Sequence, residues 1–149
     1  MSSNRCVDRP TQEAWDQIMS AAKLIQDIRF EKSGGKIHVD VLIGQRQLGI
    51  YTLTLYDAAG KHPDVIGEGN NADSLPDHYA IKKSPNSLDQ QLCGWVITIS
   101  DPSNAPGEIY FARITFTQDG RNLDDGPFEY SGPLHGQRFL IGFARFAAG

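Results

Sequence analysis

The run Ile37-His38-Val39-Asp40-Val41 alternates apolar and polar side chains, and this alternation decides the fold class. Successive side chains of a β-strand point to opposite faces, so a period of two is what a half-buried antiparallel sheet requires. Three further runs, at residues 51–55, 95–99 and 110–116, follow the same pattern. Turn-forming glycine, proline, asparagine and aspartate residues separate the runs. The sequence therefore predicts an all-β fold.

The turns divide the chain into about eight strands joined mostly by short connections. A strand over residues 25–32 and a return arm over residues 36–43 are expected to form a hairpin. Because no second helix supplies crossover connections, we expect an antiparallel meander. A meander protects its edges by closing into a barrel or by folding into two packed sheets. The long strands favour a barrel, and a two-sheet β-sandwich is the alternative.

One α-helix is predicted at the N-terminal end of the chain. Thr11 is a suitable helix cap. An apolar stripe at helical spacing follows, and its members are Trp15, Ile18, Met19, Ala22 and Ile25. We expect the helix to end at about Lys23, before the strand over residues 25–32. We expect this helix to pack on the sheet. Residues 1–10 are interpreted as a flexible lead and residues 11–149 as a single β-rich domain.

Size and charge limit the classes of function. A chain of 149 residues buries enough surface to fold as one domain without a disulfide or a metal. Its net charge is −4 and its longest basic run is Lys82-Lys83, which argues against nucleic acid as a partner. The polar N-terminus resembles no signal peptide and no stretch is long enough to span a membrane. We therefore expect a soluble cytoplasmic protein that does not bind membranes, with Cys93 reduced and packed in the core.

The candidate metal ligands lack the spacing of a known metal site. His38 and Asp40 share one face of a strand, and the other available ligands are His62, Asp64, Asp77, His78 and His135. This spacing resembles neither a zinc site nor a facial triad. The loop at residues 119–126 is rich in oxygen donors, but Leu123 occupies a ligand position of a calcium loop. We interpret that loop as a turn, and predict no metal and no cofactor.

Catalytic motifs are equally weak. Cys93 has four histidines as possible bases, and Ser100 or Ser131 has His135. No Gly-x-Ser-x-Gly elbow accompanies them. The glycines at positions 67 and 69 lack the Gly-Lys-Ser/Thr and the helix of a phosphate loop.

The least regular segments are the predicted location of a binding site. Residues 62–91, with a polar loop at 67–73, and residues 119–133 are the parts least explained by folding, and loops commonly carry binding. Small-ligand and carbohydrate sites combine aromatic rings with convergent polar groups. The predicted ligand-binding residues are therefore Asn70, Asn71, Asp73, Tyr79, Asp124, Asp125 and Tyr130.

Three functions remain open at this point. The first is a non-enzymatic domain that binds a small ligand, a carbohydrate or a protein partner through its loops. The second is a small enzyme with a His/Asp site in a barrel mouth or cleft, built from His38, Asp40, His78 and His135. The third is a self-associating structural protein. Its homo-oligomeric contact would be the C-terminal strand, residues 137–146, which is apolar on both faces.

Overall fold

The computed structural model describes residues 25–44, 47–72, 75–101, 107–123 and 128–149. Within these ranges the chain forms ten β-strands and no α-helix, which confirms the all-β prediction. The strands are β1 (Ile25–Phe30), β2 (Ile37–Ile43), β3 (Leu48–Tyr56), β4 (Asp64–Asn70), β5 (Asp77–Ala80), β6 (Leu92–Ser100), β7 (Ile109–Gln118), β8 (Arg121–Asn122), β9 (Phe128–Pro133) and β10 (Gln137–Ala148). A short 3₁₀ turn, Pro85–Ser87, precedes β6.

The strands form two open sheets. The first sheet has the order β1-β10-β6-β3-β4, and the second has the order β5-β2-β7, with both β8 and β9 pairing the far side of β7. Across the described residues neither sheet closes into a barrel, so the predicted barrel is wrong and the alternative, a two-sheet β-sandwich, fits. The predicted meander is also wrong, because the chain passes repeatedly from one sheet to the other. An alternating pattern fixes which face of a strand is buried but not which strand pairs with it.

The N-terminal hairpin illustrates this limit. The expected turn is present, since the amide of Gly34 donates to the carbonyl of Glu31 at 3.0 Å. However, β1 pairs in parallel with β10 in the first sheet, whereas β2 lies in the second sheet between β5 and β7. The two strands therefore lie in different layers and are not a hairpin.

The core lies between the two sheets and is rich in aromatic side chains. Trp95 is 1% exposed, and its ring lies 4.9 Å from that of Phe128 and 6.2 Å from that of Phe116. The indole nitrogen of Trp95 donates to the hydroxyl of Tyr130 at 2.9 Å. Cys93 is fully buried beside this cluster, as predicted.

The segment predicted to be least regular contains two strands. The polar loop expected at residues 67–73 begins within β4, and β5 follows it. The alternation fails in β4 because it is an exposed edge strand with Gly67 and Gly69 at its inward positions, opposite Leu53 and Tyr51. The C-terminal strand lies between β1 and β6 in its sheet, and β1 pairs its last six residues, 143–148.

The predicted N-terminal helix and the lead at residues 1–10 lie outside the described residues. In the part of the chain that is described, no helix has the length and apolar character needed to cross a membrane.

Candidate functional site

A groove lies between an edge strand of the first sheet and an edge strand of the second. Strand β4 is the last strand of the first sheet and β5 is the first strand of the second. Between them is an open depression of about 350 Å³. We call it the edge groove, and its lining residues are Glu68, Gly69, Asn70, Asp77, His78 and Tyr79.

Three side chains at the edge groove are joined by hydrogen bonds. Tyr51 on β3 is 4% exposed, and its hydroxyl donates to the carboxylate of Asp77 on β5. The hydroxyl of Tyr79 lies 2.6 Å from that of Tyr51 and 3.2 Å from the carbonyl oxygen of Glu68. Burial and the hydrogen bond to Asp77 raise the pKa of Tyr51, so this residue stays protonated and acts as the donor. We call Tyr51, Asp77 and Tyr79 the tyrosine clasp, because it joins the two sheets.

Two glycines of β4 make room for the tyrosine clasp. A Cβ at Gly69 would lie 2.6 Å from the hydroxyl oxygen of Tyr51 and 2.8 Å from an oxygen of Asp77. A Cβ at Gly67 would lie 2.2 Å from the ring of Tyr79. Real side chains do not tolerate such distances, so the close approach of the clasp to β4 depends on glycine at both positions.

A second polar cluster adjoins the edge groove on the outer face of the second sheet. Asp40 on β2 is paired with His78 on β5 in the strand register, and the carboxylate accepts a hydrogen bond from His78 Nδ1. His78 Nε2 lies 3.1 Å from His38 Nδ1, and the two imidazole rings stack with centroids 4.9 Å apart. Because a carboxylate only accepts, a neutral His78 carries its proton on Nδ1 and accepts from His38 at Nε2.

Three of the four residues considered for an enzymatic site therefore converge. The fourth, His135, follows β9, whose Pro133 pairs with Ile109 at one end of β7. His38 pairs with Thr117 at the opposite end of the same strand. A site that combines His135 with the other three is excluded by this separation.

The predicted ligand-binding residues are scattered. Asn70 and Tyr79 line the edge groove. The Asn71 amide donates to the carbonyls of Gly44 and Gln47, at 2.7 Å each, and so holds the loop between β2 and β3. Tyr130 lies against the core, where burial raises the pKa of its hydroxyl. The remaining predicted residues, Asp73, Asp124 and Asp125, lie outside the described residues.

Sequence reasoning missed part of this site. The alternating run at residues 51–55 puts Tyr51 on the apolar face of its strand, and the polar pattern at residues 67–73 puts Glu68 in a loop. Asp77 was considered only as a possible metal ligand. Their convergence depends on β4 and β5 lying side by side, which alternation does not reveal. The useful signal was the pair of glycines at positions 67 and 69, because a glycine inside a strand marks the close approach of another group.

The chemistry of the edge groove is that of hydrogen-bond acceptors. Two carboxylates, Glu68 and Asp77, line it, and none of the described residues in its lining is a lysine or an arginine. Across the described ranges, no three His, Cys, Asp or Glu side chains converge closely enough to hold a metal ion. The thiol of Cys93 lies in the core instead, where burial raises its pKa to about 12, so it does not serve as a nucleophile.

Comparisons of this chain with protein-family models, with curated proteins and with solved structures find no match.

Proposed function

We propose that this protein is a non-enzymatic binding domain, and that the edge groove takes a small, uncharged, hydroxyl-rich ligand such as a sugar. The observation that carries this proposal is the carboxylate of Asp77, which Tyr51 holds in the lining of the groove. A fixed acceptor among other polar groups is an arrangement that orients a hydroxylated ligand.

The groups around the groove complement sugar hydroxyls. A carboxylate accepts several hydrogen bonds, and Tyr51 uses one of those available to Asp77. Glu68 adds further acceptors at the rim, and Asn70 provides both a donor and acceptors. The half-buried ring of Tyr79 offers an aromatic surface. Two carboxylates, with no lysine or arginine among the described lining residues, disfavour an anionic ligand, because like charges repel.

The open shape of the groove implies weak binding. At about −0.3 kcal/mol per non-hydrogen atom, a monosaccharide of about twelve such atoms binds with about −3.6 kcal/mol. This free energy corresponds to a dissociation constant of about 2 mM. Detection therefore requires a method that reports weak, site-resolved binding.

An NMR titration tests the proposal. Neutral monosaccharides are added one at a time to ¹⁵N-labelled protein, and we expect the amide signals of Gly69, Asn70 and His78 to shift. Asp77→Asn should weaken binding severalfold. Asp64→Asn, which removes an exposed carboxylate from the same edge strand outside the groove, should not. Shifts located elsewhere, no shifts with any sugar, or equal effects of the two variants would overturn the proposal.

The histidine cluster favours a small enzyme as a second candidate. Asp40 orients His78, which also lines the edge groove, so a ligand there would lie beside an oriented imidazole. Hydrolysis of a panel of chromogenic esters and glycosides tests this candidate. Turnover that His78→Gln removes and His135→Gln retains would support it. Turnover that survives His78→Gln would reject His78 as the base.

Other partners fit the fold less well than a small ligand. Self-association through β10 would use its outer face, where Phe139 is 59% exposed, or the edge before Phe143, because β1 pairs only residues 143–148 of that edge. We further propose a cytoplasmic location, since a reducing compartment suits the free thiol of Cys93.

A further inference from the structure

Two buried apolar side chains lie outside the main core. Leu92 is 4% exposed and Phe143 is 1% exposed, yet neither belongs to the core cluster between the sheets. Their sequence neighbours Cys93 and Ala144 point into that core, so Leu92 and Phe143 point to the outer face of the first sheet. That part of the outer face is therefore covered.

The cover is local. Phe139 lies four residues before Phe143 on the same strand and the same face, and it is 59% exposed. The half-buried ring of Tyr56, paired with Leu92 in the register, lies 6.2 Å from the ring of Phe143. We call Tyr56, Leu92 and Phe143 the outer apolar patch. The group that covers this patch leaves Phe139, nearer the start of β10, exposed to solvent.

We propose that the segment at residues 11–24 covers the outer apolar patch with the stripe that contains Trp15, Ile18 and Ala22. The point at which this segment joins the sheet supports the proposal. β1 begins at Ile25, and the Cα partner of Ile25 is Phe143. Residue 24 is thereby tethered beside the patch, so the segment meets it at high effective concentration.

The dimensions agree with this placement. The fourteen residues 11–24 span about 21 Å as a helix. Strands in a sheet are about 4.8 Å apart, so the distance from β1 to β3, across β10 and β6, is about 14 Å. A helix that leads into β1 is thus long enough to cross all three strands of the patch. An amphipathic helix is stable only when its apolar stripe is buried, and the patch provides a matching surface.

A second copy of the chain fits less well as the cover. Two sheets packed face to face bury extended areas of both faces. Such a contact would cover Phe139 along with Phe143. In the structure, however, Phe139 is 59% exposed and Phe143 is 1% exposed. A narrow segment fits this contrast better than a second sheet.

Nuclear Overhauser effects in the wild-type full-length protein test the contact directly. We expect cross-peaks between the ring protons of Trp15 and those of Phe143 or Tyr56, and none between Trp15 and Phe139. Samples that mix differently labelled chains separate contacts within one chain from contacts between chains. Cross-peaks that arise only between chains would assign the patch to a second copy and overturn the proposal. The absence of any cross-peak from Trp15 to Phe143 or Tyr56 would also overturn it.

A double-mutant cycle gives an independent test through melting temperatures. Trp15→Ala should lower the melting temperature by several degrees, and Gln17→Ala, which lies off the stripe, should not. In the background of the mild variant Phe143→Leu, the loss caused by Trp15→Ala should be roughly twofold smaller, because the two rings are in contact. In the control background Phe139→Leu the loss should be unchanged. Equal losses in both backgrounds would overturn the proposal.

Discussion

The hydroxyl of Tyr51, on the first sheet, donates a hydrogen bond to the carboxylate of Asp77, on the second. This bond joins the two layers at an open edge of the sandwich, where no strand pairing between described residues connects them. It also places a carboxylate in the lining of the edge groove. One interaction thus serves both the stability of the fold and the geometry of the candidate site.

Tyr51→Phe tests the structural part of this role. The substitution keeps the ring and removes the donor, so it leaves the half-buried Asp77 carboxylate short of a partner. We expect the free energy of unfolding to fall by about 1–3 kcal/mol, measured by urea denaturation. Tyr110→Phe is the matched control, because that hydroxyl is equally buried and makes no hydrogen bond within the described ranges. Equal effects of the two substitutions would contradict a special role for the Tyr51 hydroxyl.

Gly67→Ala should disturb the clasp from the other side. Its Cβ would lie 2.2 Å from the ring of Tyr79, and forcing extra atoms into a packed site costs about 1–3 kcal/mol. At Gly44 the nearest contact of a Cβ would be 3.6 Å, which is ordinary van der Waals distance. Gly44→Ala should therefore be neutral or slightly stabilising in the same thermal melts. A neutral Gly67→Ala would show that Tyr79 moves away without cost.

The buried thiol of Cys93 predicts a loss of stability at alkaline pH. Its pKa is about 12 in the folded protein, raised by burial, against about 8.5 for an unfolded cysteine. The folded state thus disfavours the thiolate, so this contribution to stability is complete below about pH 8.5 and declines as the pH rises towards 12. Tyrosines also ionise in this range, so the comparison is with Cys93→Ala, whose stability should fall less steeply between pH 9 and pH 11 in denaturant melts. Parallel curves for the two proteins would contradict this account.

The same burial predicts the reactivity of Cys93. In a Cys6→Ser background, the remaining thiol should resist Ellman's reagent at pH 8 until denaturant is added. Rapid labelling of the native protein would place Cys93 outside the core.

The sequence predicts the strands of this fold better than their arrangement. Strands β2 and β7 alternate apolar and polar residues because one face of each contacts the core, and this contact leaves a mark in the sequence. Strand β4 was missed because glycines occupy its inward positions and the apolar bulk comes from Tyr79 instead. The parallel pairing of β1 with β10 leaves no local mark, since it joins residues more than a hundred positions apart.

The candidate site was predicted in part for the same reason. Asn70 and Tyr79 were identified from residue type and a turn-rich setting, and both line the edge groove. Tyr51 and Asp77 were not paired, because their contact arises only when strands from different sheets meet. Convergence of this kind is a property of the topology.

The adjacent residues Asn70 and Asn71 should respond differently to alanine. From the sequence alone, replacing both is expected to leave stability within about 1 kcal/mol, as for surface positions. In the structure the Asn71 side chain donates to the carbonyls of Gly44 and Gln47, and it accepts from the amide of Gly49 at 3.0 Å. Asn71→Ala removes these bonds and leaves partly buried backbone groups without them, so we expect a loss of about 1–3 kcal/mol.

Asn70 is exposed, and its carboxamide oxygen accepts only one local bond, from the amide of Ala72 at 2.8 Å, among the described residues. Asn70→Ala should therefore stay within about 0.5 kcal/mol of the wild-type protein in urea denaturation, as for other surface substitutions. It should still weaken sugar binding in the NMR titration, because Asn70 lines the edge groove. Asn71→Ala should do the reverse, with reduced stability and nearly unchanged affinity at a temperature where it is folded. Equal losses of stability in the two variants would contradict these separate roles for Asn70 and Asn71. A loss of sugar affinity in Asn71→Ala but not in Asn70→Ala would contradict them as well.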